Sequence, residues 1–185
     1  MFTGSERCHH SAYGRPGFYI DDDDASDASD GCRHRFDGMD EAARGLRVVR
    51  IVSGQDAIAW ADVVTAGFDL PRRLASLLSP GVHKRGETLD AAAQFFGVGA
   101  NGRLVATSML YLDQGIAGVH SVATLLTERA QGLGAPVTVG ALRAGHELGY
   151  GVGVLRSSSA GHSVYRTLGF RDVGSVPMFV QTVAI

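Results

Sequence analysis

Glu128-Arg129-Ala130-Gln131-Gly132-Leu133-Gly134-Ala135-Pro136 separates two unlike segments. Before it, Ile116–Thr124 (IAGVHSVAT) reads as a strand; after it, Val137–Leu148 (VTVGALRAGHEL) reads as a helix. The glycines therefore sit in a loop that opens a helix. The first turn of a helix carries N–H groups with no intrahelical partner, and its dipole favours negative charge. Glycine lets backbone approach a ligand closely. A strand, a glycine loop and a helix N-terminus together suit a phosphate or pyrophosphate. Two common signatures do not fit. The dinucleotide fingerprint needs a third glycine where Val137 stands. A P-loop needs a Gly-Lys pair, and none follows. The spacing present is Arg-x-x-Gly-x-Gly, as Arg129, Gly132 and Gly134.

Working outward, the pattern alternates between strand and helix signals. Leu46–Val52 reads as a first strand. A helix to about Phe68 follows, with Ile58, Ala61, Val64 and Phe68 on one face. Pro71 suits the first position of a short second helix ending near Leu78. Val82–Ala91 is polar and reads as loop. Ala93–Ala100 and Arg103–Leu112 are strands joined by Asn101-Gly102, a strong hairpin signal. Asp113-Gln114-Gly115 turns the chain into Ile116–Thr124, completing an antiparallel meander. The helix after the glycine loop places Val137, Ala141, Ala144 and Leu148 on one face, and Gly149 caps it. Gly151–Leu155 is a buried strand, parallel to Ile116–Thr124 through a βαβ crossover. Ser157-Ser158-Ser159 caps a last helix, about Ala160–Leu168, and strands near Phe170–Val173 and Val176–Val180 close the chain.

The totals bound the reading. The 185 residues, 45% hydrophobic, suit one domain plus an extension. Residues 1–45 read as an acidic, poorly ordered tail containing Asp21–Asp24, and residues 46–185 as the domain. Residues 1–40 hold four arginines against one glutamate and eight aspartates, net −5, which leaves +3 for the remainder. The net charge of −2 speaks against nucleic acid as a partner. No apolar run is long enough for a membrane span, and the first twenty residues lack the apolar core of a signal peptide. The only cysteines, Cys8 and Cys32, lie in the tail, so a cytoplasmic chain without structural disulfides is expected. Cys8-His9-His10 and Cys32-x-His34 match no common zinc spacing, and no metal site is expected. Met39 is an alternative start. Tyr13, Phe18, Tyr19 and Ile20 are apolar enough to dock on the domain.

The element order β-α-α-β-β-β-α-β-α-β-β resembles that of the GNAT superfamily of N-acetyltransferases. So do three segments in order: Val122-Ala123-Thr124, Arg129-x-x-Gly132-x-Gly134, and Val164-Tyr165-Arg166-Thr167-Leu168-Gly169-Phe170. The resemblance is strong over 103–175, weaker over 46–102, and does not reach the tail. It implies an α/β (α+β) fold, a mixed central sheet of about six to seven strands flanked by four helices. It also implies acetyl-CoA as acyl donor and a primary amine, on a small molecule or peptide, as acceptor, with direct transfer. The pantetheine arm would lie along Val122, Ala123 and Thr124. The pyrophosphate would meet Arg129 and the backbone of Ala130, Gln131, Gly132, Leu133, Gly134 and Ala135, with Ser158 and His162 near the coenzyme's path.

Tyr165, read on its residue type alone, packs a helix on the sheet. The resemblance implies instead a general acid that protonates the leaving thiolate, a phenol having an ordinary pKa of about 10. His120, on the strand face opposite Val119 and Ser121, is a candidate base or a packing histidine. Gln131 stands where a second basic residue is common in this family, and Pro136 removes one N–H donor. These departures keep open a second reading, a non-catalytic acyl-CoA-binding or regulatory module. The closing strands also suit pairing in a homodimer.

Overall fold

A computed structural model describes residues 18–21, 47–52, 54–78, 80, 84–85, 88–89, 92–100 and 102–177. Its strands are β1 (Phe18–Asp21), β2 (Val48–Arg50), β3 (Lys84–Arg85), β4 (Thr88–Leu89), β5 (Ala93–Ala100), β6 (Arg103–Asp113), β7 (Ile116–Thr124), β8 (Val152–Leu155) and β9 (Arg171–Asp172). Its α-helices are α1 (Gly54–Gly67), α2 (Ala75–Leu78), α3 (Gly134–Glu147) and α4 (His162–Thr167). The main sheet runs β2-β5-β6-β7-β8-β1-β9. Only β7–β8 is parallel; every other pairing in it is antiparallel.

The meander follows from its turns. Gln114 and Gly115 both take positive φ (44° and 80°), the backbone that joins two twisted strands through two residues. Alternation along β5 then sends Phe95 to one face and Phe96 and Val98 to the other, and two cores result. On the first face α1 contributes Trp60, Ala61 and Val64 against Phe95 and Ala123. On the second, α3 contributes Val137, Val139 and Ala141 against Phe96, Val98, Leu110 and Val119. The helix lies close to this face because Gly145 carries no side chain; a Cβ there would come 3.1 Å from Ala117 Cβ.

Trp60 ties α1 down. Its indole N–H donates to the carbonyls of Phe96 (3.0 Å) and Ser108 (3.3 Å), partners across β5–β6. Its ring meets Phe95 edge-on at 5.1 Å. This corrects the expected face of α1. Trp60, Ala61, Val64 and Gly67 are buried, while Ile58 is 64% and Phe68 49% exposed. The largest ring, with a polar N–H that needs buried acceptors, sets the helix's rotation.

Other expectations are corrected too. The second helix shrinks to a 3₁₀ turn, Arg72–Leu74, followed by the single turn of α2. The loop 82–91 contains the short β3–β4 pair. The α3 helix begins three residues early, at Gly134, and Leu148 lies beyond it, 57% exposed. The α4 helix is shorter than expected, with Gly161 rather than a serine at its N-cap. Strand and helix counts differ accordingly from the expectation: α1, α3 and α4 are the helices of more than one turn. Val176 and Pro177 are not in a strand, and 178–180 lie outside the described residues.

Four residues of the segment read as a tail, β1, pair with Val152–Leu155 of β8 and with β9. Phe-Tyr-Ile is a strong strand former. The rest of residues 1–46 lies outside the described residues, Met39 and the Cys/His pairs included.

Replacing Trp60 by Phe keeps most of the buried ring but deprives two carbonyls of their donor. The variant is expected to lose about 1–3 kcal/mol of stability, read as a lower urea midpoint at unchanged slope.

Candidate active site

The site begins with a mismatch between β6 and β7. Thr107 pairs with Ala123 and Met109 with His120, so Ser121 and Val122 together oppose Ser108. Ser121 takes φ +50° to accommodate the extra residue. Thr107 Oγ1 donates to the Ser121 carbonyl (3.3 Å). On its other edge β7 pairs with β8 over Ile116–Val119 only. Among the described residues the β7–β8 ladder does not continue past Val119 and Leu155.

Past Thr124 the chain makes a 3₁₀ turn, Leu126–Glu128, and enters the glycine loop. Ala130 (φ 59°) and Gly132 (φ 77°) are left-handed. For alanine that conformation costs about 1–2 kcal/mol. Among the described residues, apart from the adjoining backbone, no atom lies within 4 Å of where a Cβ on Gly132 or Gly134 would be. The backbone is thus open to an approaching ligand at both glycines. The α3 helix has no side-chain cap at Leu133. Its first-turn N–H groups have no intrahelical acceptor, and Pro136 has no N–H at all.

The expected loop residues divide. Leu133 is buried in the core, so only its backbone faces the loop. Ala135 packs partly against the same core. The Arg129 guanidinium is turned away from the glycines: it donates to the carbonyls of Gly67, the last residue of α1, and Thr124 (3.4 Å). A cation at a helix C-terminus complements the dipole there. Gln131 Nε2 donates to Glu128 Oε2 (3.1 Å).

Tyr165 is 7% exposed and shares its cluster with Val119, Leu155 and Val137, against which Val122 also packs. Its ring meets Phe170 edge-on at 6.0 Å. Gly161 makes room for it, since a Cβ there would come 2.9 Å from the tyrosine ring. Burial raises the phenol's pKa above 10.0. His120 is exposed and lies on the opposite face, that of its partner Met109, which packs on the α1 core. Its Nε2 hangs over Gly118, 2.8 Å from where a Cβ would sit. Tyr165 and His120 therefore flank β7 from opposite faces.

No family model and no curated protein matches the chain. Solved structures do. A GCN5-related N-acetyltransferase from Kribbella flavida superposes with TM-score 0.58 at 19% identity, covering 85% of this chain. An acetyltransferase from Trypanosoma brucei gives 0.57 at 17%, over 74% of this chain and 99% of that one. An aminoglycoside acetyltransferase from an uncultured soil metagenomic sample gives 0.56 at 16%, over 75% and 97%. The chain has the GNAT fold. It spans about half the length of the Kribbella flavida protein, 53%.

Within this GNAT fold the remaining expected residues fall at α4. Ser158 is exposed and its Oγ accepts from the Gly161 N–H (3.3 Å). His162 Nε2 is 3.1 Å from Asp172 Oδ1 on β9. Residues the sequence did not single out are Ser121, Gly67, Arg103 and Glu128. None of the four carries a local sequence signal. A separate groove of about 660 Å³ runs along α1 and includes Ala59, Val63, Ala66, Leu104 and Leu125, but neither Val122 nor Tyr165. Among the described residues no group of His, Cys, Asp and Glu could hold a metal ion, and no helix is long and apolar enough to cross a membrane.

The raised pKa of Tyr165 has a sign. The folded state holds the proton more tightly than the unfolded chain, so this contribution to stability is complete below pH 10.0 and is lost as pH rises through the folded value. Urea midpoints measured across the alkaline range should fall more steeply for wild type than for Tyr165→Phe. Equal slopes would contradict the assignment.

Proposed function

We propose that the protein transfers an acetyl group from acetyl-CoA directly to a primary amine of a small molecule or peptide. The observation that carries this reading is the end of the β7–β8 ladder at Val119, next to the bulge in β7, followed by a glycine loop whose Gly132 and Gly134 are open before α3. A pantetheine arm would lie along Val122, Ala123 and Thr124 as an added strand. Backbone N–H groups of residues 130–135, Pro136 excluded, would face the pyrophosphate. The superposed structures are acetyltransferases, which supports an acetyltransferase kind of function.

The chemistry follows from where the charges go. A neutral amine attacks the thioester carbonyl carbon, and negative charge moves to the oxygen. An N–H near Val122 would stabilise it. As the C–S bond breaks, the sulfur takes the proton of the Tyr165 hydroxyl. Desolvation keeps that phenol protonated, which suits an acid and not a base. The amine's surplus proton leaves on the other face, to His120 directly or through water. The exposed ring of Tyr111, cross-strand partner of Gly118, lies on that face and would line the acceptor's approach. Neither cysteine lies in the described residues, and direct transfer needs no acyl-enzyme.

Two variants test this. Gly132→Glu puts a carboxylate on a left-handed residue facing the open side of the loop. Calorimetry should show acetyl-CoA affinity falling at least roughly a hundredfold, with the unfolding midpoint lowered only by the about 1–2 kcal/mol that a side chain at positive φ costs. Tyr165→Phe should lower turnover by about 10²–10⁴-fold while cofactor affinity is retained. Binding by the wild type with no turnover on any amine would favour the acyl-CoA-binding module, a reading that the diversion of Arg129 away from the glycines also favours.

A further inference from the structure

An acidic residue stands where an anion would bind. Glu128 is four residues before Gly132, at the entrance to the loop. A free carboxylate there would repel a pyrophosphate. It is not free. Its Oε1 accepts from Arg103 Nη2 at 2.8 Å, and its Oε2 accepts from Gln131 Nε2 at 3.1 Å. Both oxygens are engaged. The Glu128 side chain is 22% exposed, against 60% for Arg103, so the carboxylate is the sheltered member of the pair.

The partners come from two places. Arg103 begins β6, at the β5–β6 turn, on the rigid meander. Gln131 lies within the glycine loop, between the left-handed Ala130 and Gly132. Glu128 thus ties the strained part of the loop to the sheet. On its other side the loop is tied by Arg129 to the end of α1. Isolated exposed ion pairs stabilise little. This one is joined to a hydrogen bond on the second oxygen, and its two donors fix one segment against another.

We propose that Glu128 is a positioning residue for the phosphate-binding loop. Clamped by Arg103 and Gln131, it holds residues 129–134 in the form that presents their N–H groups to an anionic ligand. The proposal rests on the coenzyme A reading of the loop. It makes a prediction opposite in sign to simple electrostatics. Removing a negative charge beside an anion site should tighten binding if charge alone acts. If the clamp acts, removal loosens the loop and weakens binding.

The test uses the full chain, coenzyme A as the probe, and two readouts. Calorimetry should give roughly tenfold weaker coenzyme A binding for Glu128→Ala, a similar loss for Arg103→Ala, and no further loss in the double variant. Arg103→Lys, which keeps a donor and its charge, should recover most of the affinity. Hydrogen exchange on the ligand-free protein should be faster over residues 129–134 in Glu128→Ala, while the amides of β5 and β6 exchange as in wild type. Unchanged or tighter binding by Glu128→Ala, additive losses, or unaltered loop exchange would overturn the proposal. A wild-type chain that binds no coenzyme A overturns the cofactor reading itself, and the exchange rates then decide the clamp alone.

Discussion

One surplus residue in β7 governs the architecture around the site. Opposite Ser108, two residues stand where a regular ladder would have one. A strand cannot absorb that excess without bending and twisting. The hydrogen bonds that hold the bent region come from both faces. Trp60 of α1 donates to the Ser108 carbonyl, and Ser108 Oγ donates to the Val137 carbonyl of α3 (2.7 Å). Thr107 reaches across to Ser121. The two helices are therefore fastened to the sheet at the very residues where its regularity fails.

Around this rigid centre the molecule sets a loop with little internal packing. The glycines contribute no side chains, and Leu133 alone anchors the loop's middle in the core. What holds the rest is polar and peripheral: Arg129 to the end of α1, Glu128 to the meander. Close packing at Gly67, where a Cβ would meet Ala123 Cβ at 3.0 Å and the Thr124 carbonyl at 3.1 Å, brings the last turn of α1 within reach of Arg129. The first core thus contributes to the shape of a loop it does not contain.

Much of this was legible in the sequence, and the exceptions have physical reasons. The meander, the crossover and the glycine loop are local signals: turn residues, alternation and helix periodicity each act over a few positions. The placements of Ile58, Phe68 and Leu148 were misread because periodicity ranks residues by hydrophobicity alone. It does not see that an indole N–H needs two carbonyls on a distant strand. The bulge was invisible for a similar reason, since register belongs to a pair of strands and not to either one. Arg129 shows the limit for side chains. Its position in a motif was clear, but its direction depends on a carbonyl 62 residues away in the chain.

β1 bears on how the chain is made. Phe18–Asp21 is the earliest described strand, yet its partners are Val152–Leu155 and Arg171–Asp172, the last two described strands in chain order. During translation that segment must wait, unpaired, while the meander and the α3 crossover assemble behind it. Contacts between such distant positions carry the largest loop-closure cost and form late. The order of synthesis and the order of assembly are therefore reversed at this edge of the sheet. The row of aspartates just after it, Asp22–Asp24, keeps the waiting strand charged and so disinclined to pair with another chain in the interval.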